Sequence, residues 1–347
     1  MLYISFLAKK KGEKAAFIEN FTLSLVLIIS ITFNLLIIRT LVPNYKDFIV
    51  FPFDILALSF IFLFIPCFYL LVCREKKKIK KKKVNQNEIT PPPPVPKELP
   101  LKYDIYRKLT HLVVLGIILF YFTLGFLFKN FIIYLLEFSP KLASDIFYSI
   151  YNIEEDTMIF TQYLVVFLVT ISLIGLLTAD FVRILKPEIY PLKPVNQILR
   201  EKERYHMRLG SHISIAVGCF SVIILFGLFQ PIGPLLICAS MTMAIFGDMA
   251  ANLIGRTLGP KYKNIRDTKK TYIGLLAGIL GSIISGFIIL AILSGFYNLS
   301  LIGFFLIPLI GGIIIGLLDY LDLEVDDNLS FILVTTTVLF FLSIFII

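Results

Sequence analysis

The sequence predicts an all-α, polytopic transmembrane helical bundle of about nine spans: a two-span N-terminal appendage followed by a seven-span core. Three observations carry this. The chain is 57% hydrophobic over 347 residues, with a mean hydropathy of +0.86. Its apolar residues come in long blocks, whereas a soluble chain breaks them up with polar ones. Blocks of about 18 or more residues with few charges are long enough to cross a bilayer as helices. The basic residues also sort by loop, as the positive-inside rule requires.

The candidate spans are 21–38, 48–73, 109–128, 158–178, 213–229, 232–247, 272–293, 299–318 and 330–347. The sixth is short and contains Pro234, so a broken or tilted helix is expected there. The first apolar run lacks a small-residue cleavage site and reads as an anchor, not a signal peptide. With a cytoplasmic N-terminus, the basic segments 9–14, 74–83, 102–108, 179–211 and 248–271 all fall inside. The acidic loop 129–157 falls outside. The protein is therefore expected to be an integral, multi-pass membrane protein.

Residues 1–75 read as a two-span membrane anchor and 76–101 as a basic, proline-rich cytoplasmic linker. Residues 102–347 read as the core. The basic run "REKKKIKKKK" (74–83) leads into the linker, which continues as "TPPPPVPKELP", a stretch only extended polyproline or disorder accommodates. The lysines stop transfer, and each could add about 1 kcal/mol of attraction to an anionic membrane. Asp54 lies near the outer end of the second span and reads as interfacial.

Within the core, Gly274, Gly278, Ser282 and Gly286 recur every four residues, as do Gly312 and Gly316. This spacing lets helix backbones approach closely. Four cysteines without paired spacing and three histidines argue against a disulfide framework or a zinc site.

Charges in lipid are costly and persist where they serve something. The core has five polar clusters, all predicted on the cytoplasmic face. "YRKLTHL" holds Arg107, Lys108 and His111. "TADFVRILKP" holds Asp180 and Arg183, spaced to pair on a helix. "LREKERYHMRLG" holds Arg200 and Glu203 with the same spacing.

The fourth cluster, "IFGDMAANLIGRTLGPKYKNIRDTKKTYIG", places Gly247-Asp248 at the membrane boundary, then Asn252, Arg256 and Lys269-Lys270-Thr271. The fifth, "LLDYLDLEVDDNLS", puts Asp319, Asp322, Glu324, Asp326 and Asp327 close together. Glycines admit a ligand to the backbone, and Lys and Arg neutralise phosphate oxygens. Mg²⁺ binds one or two carboxylates plus substrate phosphates. Together these clusters suit a Mg²⁺–polyphosphate substrate in the cytosol and an acceptor in the bilayer. A solvated acidic turn and structural ion pairs would account for the same residues without a ligand.

"RKLTH", "ADFVR", "LREKE", "GDMAANLIGRTLG", "KKTYIG" and "VDDNL" occur in an order that resembles the CTP-dependent polyprenol kinase family. That family includes dolichol kinases, phytol kinases and a fungal type of diacylglycerol kinase. More distantly the chain is similar to the CDP-diacylglycerol synthases. The likeness covers about residues 103–330. It implies CTP as the phosphoryl donor, which no residue pattern shows independently; neither a P-loop nor a protein-kinase signature is present.

By the same resemblance, Asp248, Asp326 and Asp327 would hold Mg²⁺. Gly247, Asn252, Arg256, Lys269, Lys270, Thr271, Asp326, Asp327 and Asn328 would bind the nucleotide. Arg107, Lys108, His111, Arg183, Arg200 and Glu203 would line the cytoplasmic mouth, and Asp248, Asp180 and Lys270 would be catalytic. Whether Asp180 or Asp248 takes the hydroxyl proton stays open. The family usually carries a Glu just before the glycine that follows Lys-Lys-Ser/Thr, where this chain has Ile273.

The implied reaction transfers the γ-phosphoryl of CTP to a lipid alcohol such as a polyprenol, phytol, geranylgeraniol or diacylglycerol. Its products are CDP and a lipid phosphate. A cytidylyltransferase making a CDP-lipid, or a non-catalytic transporter or scaffold, are the alternatives. No nucleic-acid partner is expected, and the sequence is silent on oligomeric state.

Overall fold

The computed structural model describes residues 1–41, 49–85, 101–151, 158–197, 199, 200, 203, 206–266, 268, 270–297 and 299–346. The helices are α1 (Leu2–Lys10), α2 (Lys14–Leu41), α3 (Phe53–Asn85), α4 (Lys102–Phe122), α5 (Leu124–Leu136) and α6 (Lys141–Tyr151). They continue with α7 (Ile159–Leu185), α8 (Ser211–Phe226), α9 (Ile232–Thr257), α10 (Tyr272–Leu293), α11 (Leu301–Leu321) and α12 (Asp327–Ile346). Among the described residues there is no strand, only the isolated bridge Asn264–Thr271.

The protein is an all-α polytopic bundle. Eight helices, α2, α3, α4, α7, α9, α10, α11 and α12, are long and apolar enough to cross a membrane. The expected fifth span is α8, which has 16 residues and is about 24 Å long. It is buried along nearly its whole surface and packs against α2, α7, α9 and α12. A helix that meets protein on all sides is apolar all round, and protein at its ends relieves it of matching the lipid thickness.

Two boundaries correct the sequence reading. The sixth span does not stop at residue 247, and Pro234 does not break it. α9 runs unbroken to Thr257, and Pro234 sits in its first turn, where a missing N–H costs no intrahelical bond. Asp248, Asn252 and Arg256 therefore ride on one helix face at four-residue spacing. The third span begins before residue 109, because α4 already includes Asp104, Arg107, Lys108 and His111 at helical spacing. All four side chains are buried, not interfacial.

The first span packs against the seven-span core. α2 lies along α8, and the Asn34 Nδ2 of its π-helical turn donates to Ile224 O at 2.5 Å. Asp54 is exposed in the first turn of α3, where its Oδ1 accepts from Ile55 N. Glu154, Glu155, Asp156, the polyproline run and Lys269 lie outside the described residues.

The tightest contact in the bundle is the seam between α9 and α10. A Cβ on Gly247 would come within 2.0 Å of Ser282 Oγ, and one on Gly274 within 3.0 Å of Ala251 O. On the other side of α10, a Cβ on Gly312 or Gly316 would run into Ile283 or Ile279. The small-residue stripes read in the sequence are these two seams. They hold α9, α10 and α11 as a rigid wall.

Candidate functional site

The polar ends of α4, α9 and α12 and the segment before α8 meet at one end of the bundle. α4 and α9 contribute two linked pairs. The Lys108 ammonium donates to Asp248 Oδ2, while Asn252 Nδ2 donates to the other oxygen, Oδ1, at 2.6 Å. One turn away, Asp104 bridges the helices. Its Oδ1 accepts from Arg107 Nη2 at 2.8 Å and its Oδ2 from Arg256 Nη1 at 2.8 Å. Asp104 was not among the residues singled out from sequence, although its place three residues before Arg107 is the signal that would have found it.

Arg107 is only 2% exposed, yet its Nη1 has no hydrogen-bond partner among the described residues. An unpaired buried donor on a cation is expensive, and this one lies beside Lys108 and Asp248. Arg200 is half-buried. Burial opposes its charge, but Asp326, Glu203, Asp248 and Asp104 together raise its pKa above the ordinary arginine value. His111 is buried within electrostatic reach of Lys108, Asp248 and Asp326. Asp248 on α9 lies within electrostatic reach of Asp327 at the start of α12.

Lys270 takes a different place from the one implied for it. Its ammonium lies 2.9 Å from Asp319 Oδ1, 2.8 Å from Asp322 Oδ1 and 3.4 Å from Asp327 Oδ2. Burial opposes its charge, but Asp327, Asp319 and Asp322 hold the pKa well above the lysine range. This clasp ties the α9–α10 loop to the α11–α12 loop, and Arg266 stacking on Tyr320 at 4.8 Å reinforces it. The acidic turn is therefore compensated from within the protein. Thr271 caps α10 by accepting from Gly274 N at 3.2 Å, and Gly247 serves the seam. Asn328 donates to Asp326 Oδ1 through its backbone N at 3.0 Å and through its side chain. Ile273 is half-buried in the first turn of α10.

Asp180 and Arg183 pair as their spacing implied. Arg183 donates from Nε at 2.5 Å and from Nη2 at 2.9 Å. The pair then reaches the backbone, and the His212 ring lies 3.7 Å from Asp180 Oδ1. Arg183 donates to Glu203 O and Arg208 O, while Asp180 Oδ2 accepts from Gly210 N at 3.0 Å. The pair fixes the segment leading into α8. Glu203 Oε2 accepts from Arg200 N at 3.0 Å, and its buried Oε1 is unpartnered among the described residues.

Mg²⁺ needs one or two carboxylates together with phosphate oxygens and water. Among the described residues, no three Asp, Glu, His or Cys side chains converge as a complete protein ligand set. Both oxygens of Asp248 are engaged, by Lys108 and Asn252. Asp326 bonds to Asn328 through Oδ1 only, and Asp327 meets Lys270 through Oδ2. The adjacent Asp326 and Asp327 therefore suit a phosphate-bound Mg²⁺, and Asp248 does not.

A groove of about 470 Å³ opens along α4, α9 and α10. Its lining is mostly apolar, with Ile105, Phe246, Met249, Leu253, Ile284 and Ile288, and includes the polar Asp104, Lys108 and Asn252. The chain matches no family model, no curated protein and no solved structure. Fold and site define a multi-pass membrane protein whose buried polar centre adjoins an apolar groove.

Proposed function

We propose that the protein is a CTP-dependent lipid-alcohol kinase working on the cytoplasmic side of the membrane. The ordered motifs that resemble the CTP-dependent polyprenol kinases support the class. The observation that carries the reading is the groove, a mostly apolar channel along a wall of spans whose lining includes Lys108 and Asn252, the two side chains that hold Asp248. An isoprenoid or acyl chain fits such walls, and its hydroxyl would then lie beside a carboxylate.

Phosphoryl transfer asks mainly for positioning and charge neutralisation. In this reading the lipid hydroxyl oxygen forms a bond to the γ-phosphorus as the bond from γ-phosphorus to the bridging oxygen breaks, and CDP leaves. Asp248, aimed by Lys108 and Asn252, accepts the hydroxyl proton. Asp180, paired with Arg183 and accepting from Gly210 N, serves in this reading to hold the segment before α8. The free edge of Arg107, with Arg200 and Lys108, neutralises the phosphate oxygens. Asp326 and Asp327 would hold Mg²⁺, which screens the charge of the polyphosphate when bound.

The test uses the full chain reconstituted in liposomes, with γ-labelled CTP and a panel of lipid alcohols. Label moving into the lipid fraction with release of CDP is the expected result. Release of labelled pyrophosphate with formation of a CDP-lipid would instead assign a cytidylyltransferase, and absence of both CTP binding and turnover would leave a scaffold.

A further inference from the structure

The first span carries two polar side chains that a lipid anchor does not need. Glu19 and Asn20 are completely buried, although polar groups within a span are costly. Asn20 holds the backbone of the extended segment before α8 on two sides. Its Nδ2 donates to Met207 O at 2.7 Å, and its Oδ1 accepts from Leu209 N at 3.1 Å. Glu19 pairs with the side chain of the residue between them, Arg208. Glu13 Oε2 accepts from Met207 N at 2.7 Å. Arg183 grips the same segment through Glu203 O and Arg208 O.

This segment connects Arg200 and Glu203 to α8. Burial lowers the Arg208 pKa, while Asp326 and Asp327 act in the opposite direction. Arg208 thus lies within electrostatic reach of the carboxylates on α12 as well as of Glu19; it belongs to the stretch "LREKERYHMRLG", where the sequence pointed only to Arg200 and Glu203.

We propose that Glu19 and Asn20 are positioning residues, which fix the Met207–Leu209 backbone and aim the Arg208 guanidinium toward Asp326 and Asp327. The first span is then a working part of the polyphosphate site. Arg208 adds a cation there, held in place by a carboxylate from outside the motif-bearing core. The proposal rests on the reading of the polar centre as a polyphosphate site.

The experiment measures binding of Mg²⁺–CTP and of inorganic tripolyphosphate to the full chain in nanodiscs. The variants are Glu19→Gln, Arg208→Gln and the double variant, which keep side-chain size, together with Asn20→Leu. Amide exchange at Leu209 is followed in parallel. Glu19→Gln and Arg208→Gln should each weaken tripolyphosphate binding about tenfold, and the double variant no more than Arg208→Gln alone, because the two act through one contact. Asn20→Leu should speed exchange at Leu209 and weaken binding with it.

Additive losses in the double variant, or unchanged binding in Glu19→Gln, overturn the positioning role. A wild-type chain that binds tripolyphosphate but shows no preference for CTP overturns the nucleotide reading and leaves the positioning role standing. A wild-type chain that binds neither probe overturns both.

Discussion

Asp180–Arg183 and Lys108–Asp248 are both cation–aspartate pairs with side chains nearly out of solvent, but their surroundings differ. The first is closed, bonded to the backbone of Glu203, Arg208 and Gly210 and flanked by the His212 ring. The second is held by side chains, among them the amide of Asn252. It stands beside a guanidinium with an unpaired nitrogen and near the rim of an apolar groove. A buried ion pair is thus not a marker of function by itself. What separates scaffold from site here is whether the neighbouring polar atoms are already satisfied.

That contrast is broken or sharpened most strongly by a paired substitution. Asp248→Asn keeps the size of the side chain and removes its charge. It should reduce lipid phosphorylation by about 10²–10⁴-fold, the range for loss of a positioned acid–base group; Lys108 loses its buried counter-charge, so the unfolding midpoint should fall somewhat, while the purified chain keeps its elution profile and helical content. Arg183→Ala should act the other way. It leaves Asp180 buried without its cation, which costs about 3–5 kcal/mol, and should appear as a lower thermal-unfolding midpoint. Asp248→Asn unfolding the protein, or Arg183→Ala lowering turnover without lowering stability, would erase the distinction between the two pairs.

The sequence carried the fold well and the site in part, for identifiable reasons. Spans are legible because lipid leaves helices little alternative, and the glycine stripes of α10 and α11 are legible because close approach demands them. Helix ends were less so. Residues 102–108 and 248–257 are polar enough to read as loop, yet they are helix, because their charges face one another across α4 and α9 instead of facing water. The role of Lys270 was hidden because its three carboxylate partners come from the end of α11, the following turn and the start of α12. Glu19 and Asn20 were visible as polar residues at the edge of an apolar run, but only the fold reveals that they hold the segment before α8, nearly two hundred positions away.

The wall beneath the open pair offers a smaller perturbation. Gly247→Ala places a methyl where Ser282 Oγ now lies, and that hydroxyl is held by donating to Met243 O at 3.0 Å. Overpacking of this kind costs about 1–3 kcal/mol. Because Gly247 precedes Asp248, the variant should also raise KM for the lipid acceptor more than it lowers kcat. Equal effects on both acceptor KM and nucleotide KM would mean that the seam does not shape the groove in particular.

The smallest effect belongs to the Lys270 clasp, which resembles the closed pair in chemistry but is partly open to solvent. Its pKa is raised in the folded state by Asp327, Asp319 and Asp322. A cation whose folded pKa is raised contributes stability that is fully present below its unfolded value, about 10.4 for lysine. That contribution is lost only as pH climbs through the still higher folded value. Lys270→Met should therefore cost about 1–2 kcal/mol, between the figures for exposed and buried pairs, and the cost should be the same at pH 7 and pH 9. The contribution also depends on its carboxylates, so it should shrink at the acid end as they protonate. A cost that falls between pH 7 and pH 9 would mean that the lysine loses its proton there, and the clasp would then not hold the two loops together as a charged group.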